Sequence, residues 1–251
     1  MAEGITAGEL FDLDDEDLLV LHADMIEALR ASTTQIAARS DGGVVLVDGG
    51  GRWLLTAESL DGGVALLRAA LADGWERPRT VVAHRPGSVE AVEDVLGLEA
   101  GHQCHQVVFL GEAVPAPPRD DLHYSWLGVE YIDFVHSTYS LGLDRDYVAE
   151  RVAAGAVLGA FLDEGDEPAA EPIGYMGIHG EGSMGMLEVL PAHRRQHVGE
   201  SLQLTLTSLR LAGGHIPYGQ VIVGNDASLA LQRKLGFTIS TPDVTWMHRP
   251  K

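Results

Sequence analysis

The sequence predicts an α+β protein built on a mixed, mostly antiparallel sheet flanked by helices. Three observations carry that expectation. Apolar runs such as VVLV at 44–47 and RWLLT at 52–56 are joined by a short glycine turn, the signature of a hairpin. Segments with apolar residues at helical spacing are interspersed among such runs rather than alternating strictly with them. The stretch AVPAPPRDD at 113–121 breaks the pattern with prolines and divides the chain into halves, 1–112 and 121–251.

In the first half, Asp14-Asp15-Glu16-Asp17 is an acidic turn suited to a helix N-terminus. Leu18, Leu21, Met25, Ile26 and Leu29 follow at helical spacing, so residues 13–38 read as helical. Asp48-Gly49-Gly50-Gly51 is a hairpin turn; a phosphate loop would need a helix directly after it, and none is signalled. Helices are expected over 61–73 and 88–98, and strands over 79–84 and 104–110. In the second half, HYSWLGVEYIDFVHSTYS opens as a strand and passes into a helix. DRDYVAERVAAG is a capped helix ending near Gly155, and AVLGAFLDEG is a strand. EPIGYMGIHGEGSMGMLEVLP holds two strands joined around Gly180-Glu181-Gly182. Gly213-Gly214 ends a long helix, YGQVIVGN is a strand, 226–235 a helix and DVTWMHR a closing strand. SVEAVEDVLGL at 88–98 echoes SLALQRKLGF at 228–237, each a helix ending in Leu-Gly-apolar. The N-terminal half therefore reads either as a worn second copy of one fold or as an unrelated accessory α+β domain.

A net charge of -20 argues against a nucleic-acid partner, because neutralising phosphates takes Lys and Arg. Cys104 is the only cysteine, which leaves no disulfide framework. His102 and His105 flank it, but without a carboxylate partner they read as polar strand or turn residues, and no metal is expected. The opening MAEGITAGELFDLDDEDL is acidic and lacks an apolar core, so it does not read as a signal peptide. No apolar run reaches the roughly 18 residues a membrane span needs, and the cytoplasm is the expected compartment.

The functional signal is concentrated in LEVLPAHRRQHVGESL, residues 187–202. Leu187, Val189 and Leu190 end a strand, and Pro191 stops pairing because it has no N–H. A basic turn follows, His193-Arg194-Arg195-Gln196-His197, and from Val198 the apolar spacing is helical. Unpaired N–H groups and the positive end of the helix dipole then face whatever sits above the turn, which suits a phosphate.

The stretch resembles the acyl-CoA-binding motif of the GNAT N-acetyltransferases, a strand leading into Arg/Gln-x-x-Gly-x-Gly/Ala at a helix start. Arg194 matches the first position and Gly199 the last, while His197 stands where the motif has its first glycine. NDASLALQRKLGF at 225–237 resembles the family's later Asn-x-x-(Ala/Ser)…Leu-Gly-Phe helix. The resemblance covers roughly residues 121–251 and leans toward the branch that includes glycine N-acyltransferases. It implies a GNAT-like sheet, acetyl-CoA as co-substrate with no metal, and acyl transfer to a small-molecule amine such as an amino acid. The expected partners are that amine and, as a candidate, a second copy of the chain; the acidic charge argues against nucleic acid and the absence of a long apolar run against a membrane.

On this reading the turn Arg194, Arg195, Gln196, His197, Val198, Gly199 and Glu200 takes the pyrophosphate. The backbone of Val189 and Leu190 pairs with the pantetheine arm like an added strand. The resemblance also implies that the N–H at Val189 polarises the thioester carbonyl and that Asn225 contacts the arm. Asn225 equally suits a helix N-cap. The amine must lose a proton before it attacks. Glu188 is the leading base: alternation puts it on the opposite face from Leu187 and Val189, where half-burial would raise its pKa. Glu181 and His179 are weaker candidates, and Tyr175 reads as pocket lining or packing. The family's tyrosine acid corresponds to Gln232, which cannot act as an acid, and three outcomes are open: another residue such as Tyr218 supplies the proton, the thiolate leaves unassisted, or the domain binds acyl-CoA without turnover. Two other readings follow: a non-catalytic acyl-CoA-binding module, and an enzyme acting on protein N-termini or lysines.

Overall fold

The computed structural model describes residues 6–164, 167–168, 171–241 and 243–250. It is a mixed α+β structure whose strands pair mostly antiparallel, as expected. The chain forms two compact units. The first comprises residues 1–108, 220–233 and 238–251; the second comprises 109–219 and 234–237.

The first unit opens with helices α1 (Glu16–Leu21) and α2 (Ala23–Ala28), then strands β1 (Gln35–Ser40), β2 (Gly43–Val47) and β3 (Trp53–Ala57). Helix α3 (Leu60–Ala72), β4 (Thr80–His84), α4 (Pro86–Leu96) and β5 (Glu99–Val108) follow. The single helical segment expected over 13–38 is thus two short helices and a strand. Asp15 caps α1 by accepting from the Leu18 N–H, but His22 interrupts the run. The alternating QIAAR segment then joins the sheet edge. β3 and β4 form a parallel pair bonded from Trp53–Val81 to Thr56–His84, while β2 flanks β3 antiparallel. One face of the sheet packs on α3 and α4 through Val45, Trp53, Leu55, Leu67, Val81, Ala83 and Val92. At Gly63 an added Cβ would lie 2.8 Å from that of Ala91, so the two helices approach only because that side chain is missing.

The second unit contains β6 (Leu122–Trp126), α5 (Ile132–Thr138), α6 (Arg145–Ala153), β7 (Val157–Glu164), β8 (Glu167–Pro168), β9 (Gly174–Ile178), β10 (Met184–Val189) and α7 (Val198–Ala212). Its sheet runs β10-β9-β7-β6. α7 packs across β9, β10 and β7. The core with α5 and α6 is built from Val135, Val148, Val152, Phe161, Tyr175 and Met186.

The last elements are β11 (Tyr218–Ile222), α8 (Asp226–Lys234), β12 (Thr238–Ile239) and β13 (Val244–His248). β13 does not join the sheet of the second unit. It inserts between β4 and β5 and bonds antiparallel to both. β5 in turn pairs with β11 and β12. The C-terminal strands therefore complete a sheet begun by the N-terminal half, which is why 220–233 and 238–251 group with the first unit. β10 and β11, consecutive strands on either side of α7, belong to different sheets. No helix among the described residues is long and apolar enough to cross a membrane.

Candidate active site

The site expected from the sequence lies where β10 runs into α7. β10 pairs only with β9 among the described residues and forms the end of its sheet. The ladder is irregular between Gly185 and Glu188, and Met186 sits at φ 53, a left-handed conformation that makes a bulge. Beyond the bulge, the Leu190 N–H donates to the Ile173 carbonyl at 2.9 Å. By alternation, the N–H and C=O of Val189 point to the free edge of the strand. Leu187 and Val189 lie beside Gly199 at the start of α7, since a Cβ on Gly199 would sit 3.7 and 3.6 Å from their methyls. Glu188 takes the opposite face, directly across the ladder from Tyr175.

Glu188 is 6% exposed. One carboxylate oxygen accepts from the Ser140 N–H at 2.9 Å, and the other accepts from Arg194 at 3.1 Å. Burial raises its pKa, but hydrogen bonds from Ser140 and the Arg194 guanidinium outweigh burial and hold it below the ordinary glutamate value. The sequence-based expectation of a raised pKa is therefore reversed, because alternation places the residue but says nothing about what bonds to it. Tyr139 and Tyr175 stand close enough that the Glu188 charge pushes their hydroxyls up, adding to the effect of burial, Tyr175 to about 12. Tyr139 and Ser140 follow the end of α5 and were not singled out by sequence; the only signal was their polar setting in HSTYSLG.

The turn after β10 is unusual in its backbone. Pro191–His193 form a short 3-10 turn, and Arg195 and His197 both adopt left-handed φ, 61 and 62. His197 so takes the conformation that a glycine would adopt without strain. It is the N-cap of α7 and makes no capping side-chain bond, so the first-turn N–H groups of α7 have no side-chain acceptor from the cap. Arg194 folds back instead of facing the turn: its Nε donates to the Val189 carbonyl at 2.9 Å. Arg119, which sequence reasoning missed because it lies in the proline-rich linker, donates to the Gln196 carbonyl at 3.1 Å and pairs with Asp121. Glu200 accepts from His197 at 3.2 Å and from Lys234 at 2.5 Å. Burial works against its charge, yet those two partners keep its pKa low. Gln196 bonds its own turn through the Ala192 carbonyl.

The other expected residues have partners of their own. Asn225 accepts from the Ser228 N–H at 3.1 Å and so caps α8. Gln232 is buried on α8. The Tyr218 hydroxyl donates to the Glu181 carbonyl at 2.7 Å, which commits its proton. His179 bonds the Tyr147 hydroxyl at 2.7 Å. Cys104 is buried and its thiol is pushed up to about 11 by desolvation, while the His105 ring bonds the Ser240 carbonyl. Among the described residues no group of three or more His, Cys, Asp or Glu side chains could hold a metal ion.

The fold as a whole is similar to that of known acetyltransferase structures. The GCN5-related N-acetyltransferase from Kribbella flavida superposes with a TM-score of 0.55 at 12% identity, covering 91% of this chain and 93% of that one. A GCN5-related N-acetyltransferase-like protein from Streptococcus suis gives 0.52 at 12% identity, covering 94% of each. A Drosophila protein gives 0.63 at 18% identity, covering 89% of this chain and 80% of that one. No protein-family model matches the sequence, and no curated protein matches it. The chain has the fold of the GCN5-related N-acetyltransferases.

Proposed function

We propose that the protein is an acyl-CoA-dependent N-acyltransferase, with acetyl-CoA as donor and a small-molecule amine such as an amino acid as acceptor. The observation that carries this reading is the free edge of β10 at Val189, continuous with the uncapped start of α7. The pyrophosphate takes the N–H groups of 198–200 and the side chains of Arg194 and Arg195. The arm pairs with the backbone of Val189 alone, because the Leu190 N–H and carbonyl, expected from the sequence to share this role, are already bonded to Ile173 and His193; the Val189 N–H donates to the thioester oxygen as negative charge develops there. The amine nitrogen attacks that carbonyl carbon, the carbon–sulfur bond breaks, and CoA leaves as the thiolate. Glu188 receives the amine proton.

Arg194 holds two of these groups in the free protein, the Val189 carbonyl and Glu188. Binding of the pyrophosphate draws Arg194 to the phosphate, frees the carbonyl for the arm and leaves Glu188 buried without its cation. Burial then raises the carboxylate pKa and strengthens it as a base. The order of elements supports a further reading, that the first unit is a worn copy of the second. β2-β3-α3-β4-α4-β5 follows the same sequence as β9-β10-α7-β11-α8-β12. Within the fold, the branch that includes glycine N-acyltransferases remains the reading of the 187–202 and 225–237 motifs.

Gln232, at the position of the family's tyrosine, favours a second reading as an acyl-CoA-binding module without turnover. Calorimetric titration with acetyl-CoA and then CoA, followed by thiol release with free amino acids, tests both. Micromolar binding with turnover is expected. Glu188→Gln should lower turnover by about 100-fold or more and leave acetyl-CoA affinity near the parent value. Binding without thiol release for any amine would select the module, and no binding to a folded sample would end both readings.

A further inference from the structure

A cavity of about 620 Å³ opens in the first unit at the carboxyl ends of the parallel strands β3 and β4, lined by Thr56, Glu58 and Arg85 among others. Loops diverge at such ends and leave room for a ligand. Three features mark the cavity as more than a surface dent.

Arg85 is the first. Its backbone sits at φ 73 and ψ 152, a region essentially reserved for glycine. The conformation is held by a 2.7 Å bond from its N–H to the Asp243 carbonyl and by its own carbonyl accepting from Ser88. The half-buried side chain makes no ion pair among the described residues, in a chain with 37 acidic residues against 17 Lys and Arg. The second feature is the polar floor. His22 is 3% exposed, and its Nε2 lies 2.9 Å from the Thr56 hydroxyl, while its Nδ1 lies 2.9 Å from the Leu18 carbonyl. Burial, with the nearby charge of His84 adding to it, pushes the His22 pKa down to about 3, so the ring is neutral. Nδ1–H then donates to Leu18, Nε2 accepts the Thr56 proton, and the Thr56 oxygen keeps lone pairs for a ligand N–H. The third feature is the distribution of charge. Arg39 adds a second cation, Glu58 and Asp41 supply anions, and Phe11 stacks on His22 at 4.9 Å to give an apolar wall.

We propose that this cavity binds a small zwitterion of the amino-acid class, its carboxylate on Arg85 and its ammonium toward Thr56 and Glu58. A plain anion would leave the acidic side unpaired, and a plain amine would leave Arg85 so. The site lies wholly in the first unit and does not depend on the acyltransferase reading.

Full-length protein without acetyl-CoA is titrated with glycine, alanine and leucine, and in parallel with propionate and ethylamine. Saturable binding of the zwitterions is expected, at least tenfold tighter than either half-ligand. Arg85→Gly should abolish it and raise the melting temperature by about 2–4 °C as the left-handed backbone is released. Glu58→Gln, on the surface, should weaken the zwitterions severalfold and leave propionate unchanged. Glu188→Gln in the second unit should bind the zwitterions as the parent does. The proposal is overturned by zwitterions that bind no better than the half-ligands, by parent-like affinity in Arg85→Gly, or by binding lost in Glu188→Gln.

Discussion

Two strand-to-helix junctions of the chain, β3 into α3 and β10 into α7, are built to opposite ends. β3 is bonded on both sides, antiparallel to β2 and parallel to β4, so its backbone has no edge to offer. It reaches α3 through Glu58 and Ser59, and the Ser59 side chain accepts from the Gly62 N–H, closing the helix start with the chain's own oxygen. β10 is bonded on one side, bulges at Met186 and reaches α7 through a long basic turn whose cap residue supplies no side-chain acceptor. One junction has both strand edges paired and a capping side chain at its helix start. The other leaves a strand edge and a helix start waiting for a partner. The proposed acyl-CoA site belongs to the second junction for that reason, since at the first both strand edges are already paired and the helix start is capped.

The comparison breaks most sharply at Gly199. A tryptophan there would cover the first-turn N–H groups and remove at least two charge-assisted phosphate contacts, each about 1.5–3 kcal/mol. Acetyl-CoA affinity measured by calorimetry should fall by about 100-fold or more, with the circular dichroism unchanged. Gly199→Ala sharpens the test. Its Cβ would meet Val189 and Leu187 at 3.6 and 3.7 Å, ordinary contact distances, so affinity should stay near the parent value. If the tryptophan variant binds acetyl-CoA as the parent does, the α7 junction is no different from the α3 junction.

Arg194→Ala has a smaller effect with two readouts. Losing one phosphate contact should cost about tenfold in acetyl-CoA affinity. It also removes one of the groups that hold the Glu188 pKa down. The base must be deprotonated to work, so the acidic limb of the kcat/KM profile should move to higher pH in the variant. A limb that stays in place would separate Glu188 from Arg194 and from the proton transfer. The α3 junction has no counterpart to this test, since TAESLDGG carries no arginine.

Much of this contrast was legible in the sequence. Pro191 and the run of basic residues placed the turn, and alternation set Leu187 and Val189 on the face opposite Glu188, the face that meets Gly199 in the structure. The hairpin over 44–56 and the Asp144 cap of α6 also follow from local chemistry. What local chemistry could not give was pairing at long range. The insertion of β13 between β4 and β5 depends on edges far apart in sequence. The break of the first helix at His22 is set by a tertiary bond to Thr56 on β3, not by a proline or glycine. The lowered pKa of Glu188 has the same origin, because its partner Ser140 is supplied by a loop 48 residues earlier.

The smallest effect is expected at His197, and it separates shape from charge at the turn. The left-handed conformation costs an L-residue about 1–2 kcal/mol, and glycine removes that cost. Glycine also gains freedom in the unfolded chain, which returns about 0.5–1 kcal/mol of it. His197→Gly should therefore stabilise the protein by at most about 1.5 kcal/mol, raising the melting temperature by no more than about 6 °C. Because the backbone path is already that of a glycine, acetyl-CoA affinity should change by less than about threefold. A rise in affinity well beyond that would show that the imidazole blocks the turn. A comparable loss would show that it binds the phosphate directly, so that charge rather than backbone shape distinguishes the α7 junction from the α3 one.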